Sequence, residues 1–257
     1  MIVGRFFVDG NVRWGAVFDD KVRIISRNFL EGVFEYTKET YSIDEIKILS
    51  PVKPSKIIGV GLNYVEHIEE LNMEKPKNPM LFLKPSTTVI AHAETIVYPK
   101  HMSNRVDYEG ELGVVIGKKA KKVSEEEAEK VIYGYTIIND VTARDLQFSD
   151  GQWVRAKSFD TFSPIGPFIA KDIDPSNLRI QTRLNKEIKQ DSNTSDMLFN
   201  VYQLVSFISN VMTLLPGDVI ATGTPRGVGE MKIGDEVEIF IENIGTLKNR
   251  IGGEEND

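Results

Sequence analysis

Val106-Asp107-Tyr108-Glu109-Gly110-Glu111-Leu112-Gly113 runs directly into Val114-Val115-Ile116. Two glutamates set two residues apart, followed by an apolar β-branched run, form the pattern of a strand that projects both carboxylates from one face. Further on, Ile137-Ile138-Asn139-Asp140-Val141-Thr142 ends a second apolar run on an aspartate that could converge with them. Three oxygen donors suit a hard divalent cation, Mg²⁺ or Mn²⁺ before Zn²⁺, because the chain has no cysteine and only 3 histidines. On these residues alone a second reading stands beside it. Glu109 and Glu111 could line a solvated sheet face and Asp140 a turn, since Glu-x-Glu recurs by accident.

Composition narrows the classes. The 257 residues suffice for one large domain or one large and one small. Hydrophobic residues at 41% and charged residues at 27% are those of an ordinary globule. A net charge of -7 with no basic run argues against nucleic-acid and anionic-membrane binding. Absence of cysteine excludes disulfides and thiolate chemistry. No stretch approaches the roughly twenty apolar residues of a membrane span, and Met1 to Val8 is too soon interrupted for a signal peptide. A cytoplasmic protein is the default expectation.

Along the chain, short β-rich runs alternate with turn-formers up to about Leu49, and Ser50-Pro51-Val52-Lys53-Pro54 marks a boundary. The expected organisation is a small N-terminal accessory β domain over 1–50 and a larger domain over 51–252. After the apolar strand Lys56 to Gly61, His67 and Glu70 share a helical face, where the carboxylate could fix the imidazole tautomer and raise its basicity. An exposed histidine beside a chance glutamate is the alternative. The proline-bearing stretch Asn72 to Pro79 has the composition of a lid. Met80-Leu81-Phe82-Leu83-Lys84-Pro85 reads as a scaffold strand, and His92 and His101 as structural or exposed.

Ser124-Glu125-Glu126-Glu127 is a capping box opening a short helix to about Ile132, before a strand over Tyr133 to Asn139. Arg144 is a candidate for holding carboxylates or a substrate anion. Lys157, if beside three carboxylates, offsets their charge and can stabilise an enolate; a surface lysine is the alternative. The turn Asn185-Lys186-Glu187 joins a hairpin, and Asp191 to Ser195 caps the longest helix, whose apolar stripe runs through Leu198, Val201, Leu204, Val205, Ile208, Val211 and Met212. Thr222 to Gly229 is a glycine-rich loop whose free backbone donors could grip an anion, without the Gly-Lys-Ser/Thr of a phosphate loop. Gly252 to Asp257 reads as a frayed acidic tail.

The strings GVGLNYVEHIEE, DYEGELGVVIG, NDVTARDLQ, WVRAKSFDTFSPIGP and TGTPRGVG, in that order from about Lys56 to Gly229, resemble the fumarylacetoacetate hydrolase superfamily. The resemblance is to its smaller acylpyruvate hydrolase, oxaloacetate decarboxylase and dienedioate isomerase-like members. It implies a mainly β, α+β fold, a mixed β-roll with few helices, and a homodimer. It implies Glu109, Glu111 and Asp140 as ligands of Mg²⁺ or Mn²⁺, His67 with Glu70 as base and partner, and Lys157 near the metal. Gln147 and Thr224, with Arg144, fall on substrate contacts. The implied reaction is cleavage of the C–C bond beta to the keto group of a small 2-oxo acid, acylpyruvate-type hydrolysis, through an enolate held on the metal. Decarboxylation of oxaloacetate, dienedioate isomerisation and a catalytically silent 2-oxo acid binder are the alternatives.

Overall fold

Strand Gly110–Ile116 is buried at every position, and the largest sheet is laid out on both sides of it. The computed structural model describes residues 1–70 and 72–254. On one side Gly110–Ile116 pairs antiparallel with Ile132–Asn139, setting Gly110 opposite Asn139 and Leu112 opposite Ile137. On the other it pairs with Val219–Ala221, which runs parallel to Ile57–Gly61, and that strand pairs with the edge strand Met80–Lys84. Ile132–Asn139 leads outward to Ser163–Ala170 and so to Ile2–Val8, where Ile2 faces Ala170. The N-terminal meander therefore continues this 12-stranded sheet. The central strands read as apolar runs because both of their faces are covered.

A five-stranded sheet, built around Arg179–Leu184, Glu236–Ile241 and Gly245–Gly252, packs on that centre. Leu112 and Ile137 from the large sheet, Ile180 and Ile239 from the small one, and Leu204 and Ile208 from the longest helix form one core, none more than 1% exposed. Burial of each such side chain contributes about 1.5–3 kcal/mol, so this seam holds the two sheets together.

The longest helix is Val201–Val211, and its start differs from the expectation. Asn200 is the cap, accepting from the Tyr202 and Gln203 amides while the Gln203 side chain returns to the Asn200 amide. Asp191 to Asn193 are instead the end of strand Glu187–Asn193, paired across the hairpin with Arg179 to Gln181. Leu198 precedes the helix, and Val211 is exposed. The hairpin turn is Asn185-Lys186, both with positive φ, and Glu187 already pairs with Leu184. The Ser124 capping box is present, on Glu125–Ala128 followed by a 3-10 turn. The other α-helices described, Val65–Glu70, Arg144–Asp150 and Val154–Lys157, are no longer than 7 residues, which gives the mainly β character expected. Of the acidic tail, Gly252 pairs with Val97, and residues 255–257 lie outside the described residues. Among the described residues no helix is long and apolar enough to cross a membrane.

The 106–116 stretch is not one strand. Val106–Tyr108 belongs to a three-stranded sheet with Thr142–Ala143 and Gly229–Met231, and Glu109 is the link to Gly110–Ile116. Long-range bonds set the break. The Glu109 amide donates to Asn139 Oδ1, the Gly110 amide donates to Gln190 Oε1, and the Asp140 amide donates to the Glu109 carbonyl. A Cβ at Gly110 would lie 2.3 Å from Thr182 Oγ1, so only glycine passes there.

Candidate metal centre and active site

Glu109, Glu111 and Asp140 are buried and each offers a carboxylate oxygen within 4.8 Å of the other two. A cation about 2.1 Å from each ligand holds neighbouring oxygens roughly 3 Å and opposite ones roughly 4 Å apart. Three positions of that geometry include at least two neighbouring pairs, so from the 4.8 Å limit the trio closes by at most about 2 Å, and its all-oxygen donor set suits a hard dication.

The surrounding charges distinguish the three carboxylates. Arg144 donates to Asp107 Oδ2 at 2.9 Å and to Glu109 Oε1, and Lys157 donates to Glu109 Oε2 at 2.8 Å and Asp140 Oδ2 at 2.6 Å. Lys84, fully buried, donates to Asp140 Oδ1 and to the Phe162 carbonyl at 2.7 Å. Four buried carboxylates, those of Asp107, Glu109, Glu111 and Asp140, thus face three buried cations. Among the described residues, Glu111 is the one of the four with no cation bonded to it; its Oε2 accepts from the Gly223 amide at 2.7 Å. Burial, then Asp140 and Glu109, push its carboxyl well above the usual range. Burial opposes the charge on Glu109 too, but Lys157 and then Arg144 override it and hold that carboxyl far below the usual range.

A pH effect follows from Glu111. In the metal-free protein the folded chain keeps a proton there that the unfolded chain loses, so this group's contribution to stability falls as pH rises from the ordinary carboxylate value toward the raised one. A dication must displace that proton. Calorimetry of Mn²⁺ uptake in buffers of different ionisation enthalpy should show proton release and an affinity that rises with pH. Uptake without proton release would contradict the assignment of Glu111.

The trio lines a cavity of about 130 Å³ together with His67, Arg144, Gln147, Lys157 and Thr224, so eight of the nine residues singled out in the sequence meet there. The ninth, Glu70, stands behind His67. Helix Val65–Glu70 buries His67, whose Nδ1 lies 3.1 Å from Glu70 Oε2 and whose other nitrogen is left for the cavity. Glu70 also accepts from the Gly227 amide at 3.1 Å, tying this helix to the glycine-rich loop. That loop differs from the expectation of free donors, since the Gly223 and Gly227 amides serve the chain's own Glu111 and Glu70. Thr224 Oγ1 donates to the Gly110 carbonyl and accepts from Gln190 Nε2, and Gln147 Oε1 accepts from Arg144 Nη1.

Asp145 is structural, accepting from Ser103 Oγ and the Asn104 amide. His92 accepts from the Lys248 amide and His101 pairs with Glu254, both away from the cavity. Lys84 is the residue the sequence reading missed. The scaffold strand ends on a fully buried ammonium against Asp140, and a lysine closing an apolar run just before a proline was the one hint.

Residues 56–252 match the family model described as fumarylacetoacetate (FAA) hydrolase C-terminal, and residues 1–51 match Rv2993c-like, N-terminal. Oxaloacetate tautomerase YisK of Bacillus subtilis is 43% identical over 226 residues, 82% of this chain and 75% of its own. The crystal structure of 2-hydroxyhepta-2,4-diene-1,7-dioate isomerase from Mycobacterium marinum superposes with a TM-score of 0.92 at 40% identity, covering 99% of each chain. Maleylpyruvate hydrolase from Sphingobium sp. SYK-6, in complex with manganese(II) and pyruvate, superposes with a TM-score of 0.83 at 29% identity, covering 99% of this chain and 100% of its own.

Proposed function

Because the chain belongs to the fumarylacetoacetate hydrolase superfamily, we propose that it is a Mg²⁺- or Mn²⁺-dependent enzyme that hydrolyses the C–C bond beta to the keto group of a small acylpyruvate-type 2-oxo acid. The observation that carries this reading is a buried His67 oriented by Glu70 on the cavity that the three carboxylates line. A divalent cation on Glu109, Glu111 and Asp140, when bound, supplies a Lewis acid toward the keto oxygen and offsets negative charge developing there. The chain's own residues do the rest. With Glu70 accepting from Nδ1, the imidazole presents an unprotonated Nε2 to the cavity and takes a proton from water. The hydroxide adds to the distal carbonyl, the C–C bond breaks, and its electron pair stays on the pyruvate fragment, which is then protonated at carbon. Lys157 holds a positive charge beside that fragment, and Arg144 with Gln147 orients the carboxylate end. Thr224, its hydroxyl already bonded twice, shapes the wall beside Glu111.

Keto–enol tautomerisation of oxaloacetate is a second reading, favoured by the resemblance to YisK. The same base would move a proton between carbon and oxygen without cleavage. Simple decarboxylation needs no base and leaves the buried dyad unexplained. Proton NMR of acetylpyruvate and of oxaloacetate with protein and Mg²⁺ separates these readings. Hydrolysis yields acetate and pyruvate from acetylpyruvate. Faster enol decay of oxaloacetate, with acetylpyruvate intact, would replace hydrolysis by tautomerisation, and tight oxalate binding without turnover of either would mark a binding protein.

A further inference from the structure

Gly59 and Gly61 stand two apart on one face of strand Ile57–Gly61. Neither has a positive φ, so the backbone does not require glycine at either position. A Cβ at Gly59 would fall 2.1 Å from Cζ of Phe82, and one at Gly61 would fall 2.5 Å from Cζ3 of Trp153. What the two glycines supply is room for two aromatic rings laid against the strand. Those rings meet edge to face with centroids 5.5 Å apart. The Lys157 ammonium stands 5.0 Å over the Phe82 ring while bonding Glu109 and Asp140. The aromatic wall therefore begins where the carboxylate cluster ends.

Leu62 continues this wall and is held at φ 56, a left-handed conformation that costs a leucine on the order of 1–3 kcal/mol. Asn63 keeps it there, its side chain donating to the Thr222 and Phe199 carbonyls and accepting from the Phe199 amide. The cavity thus has one charged end and one apolar end, with Phe148, 71% exposed, and Met73, 47% exposed, at the rim. Its volume of about 130 Å³ approaches that of an engineered cavity of about 150 Å³ that takes one benzene ring. A three-carbon 2-oxo acid head leaves little of it free.

We infer that the Phe82–Trp153 wall, seated on Gly59 and Gly61, is the specificity determinant of this site. It admits short unbranched 2-oxo acids and discriminates against longer chains. The inference rests on the 2-oxo acid reading above. The test is calorimetric and independent of turnover: with Mn²⁺ present, dissociation constants of oxalate, 2-oxobutanoate and 2-oxohexanoate are measured for the wild type, Trp153→Ala, Trp153→Phe and Gly61→Ala. The wild type should favour 2-oxobutanoate over 2-oxohexanoate by about tenfold or more, the scale on which a hydrophobic pocket discriminates a methylene. Trp153→Ala should bring that ratio to about one, and Trp153→Phe should lie between. Gly61→Ala, which drives the indole into the cavity, should weaken 2-oxobutanoate relative to oxalate by about tenfold. An unchanged ratio in Trp153→Ala, with oxalate still bound, overturns the wall and leaves the 2-oxo acid reading standing. Failure of oxalate and both 2-oxo acids to bind the wild type overturns both. If Trp153→Ala does not fold, the other two variants decide by the same ratios.

Discussion

Glu109→Gln should lower turnover about 10³-fold, close to 4 kcal/mol of lost transition-state stabilisation, and should weaken Mn²⁺ binding in parallel. The change keeps the volume of the side chain and removes one of three anionic donors. It also leaves Arg144 and Lys157, which bond the two oxygens of Glu109, facing a neutral amide whose oxygen can satisfy one of them and whose NH₂ confronts the other. Breaking a buried pair from one side costs about 3–5 kcal/mol. The variant should therefore also melt roughly 10 °C lower. The melting curve sets a temperature at which both proteins are folded, and turnover is compared there. Undiminished turnover would remove Glu109 from the metal centre.

His67→Asn should reduce kcat by about 10²–10⁴-fold, the usual contribution of a positioned general base. KM and the binding of Mn²⁺ and oxalate should change little, because the imidazole is not among the three donors and sits on a short helix that Glu70 ties to Gly227. The effect belongs to kcat, which marks an interaction made in the transition state. Glu70→Gln, which can still bond the imidazole but no longer favours its charge, should fall between, about 10–100-fold down, as for other groups that orient a functional histidine. A loss confined to KM would instead make His67 a substrate contact, and wild-type kcat in both variants would remove the dyad from the reaction.

Much of this centre is legible in the sequence because its donors sit inside short strings that folding brings together unchanged. Glu109 and Glu111 are two residues apart, Asp140 closes an apolar strand, and His67 precedes Glu70 by one helical turn. What stays hidden is set by long-range partners. The break at Glu109 depends on Asn139 and Gln190. The engagement of the Gly223 and Gly227 amides depends on side chains more than a hundred residues away. Helix Val201–Val211 begins at Asn200 because the preceding residues pair as a strand, which a stripe of apolar residues does not reveal. The continuity of the N-terminal meander with the large sheet rests on Ile2 and Val3 pairing with Ala170 and Ile169. Lys84 and the glycine-seated rings left faint traces, a lysine ending an apolar run and two glycines alternating in a buried strand.

The most direct test of one ion held by Glu109, Glu111 and Asp140 is a crystal structure grown with Mn²⁺, with data collected for its anomalous scattering. One strong peak per chain is expected, about 2.1 Å from an oxygen of each of the three carboxylates. A peak bonded to fewer than three of them, or none at saturating Mn²⁺, would contradict it.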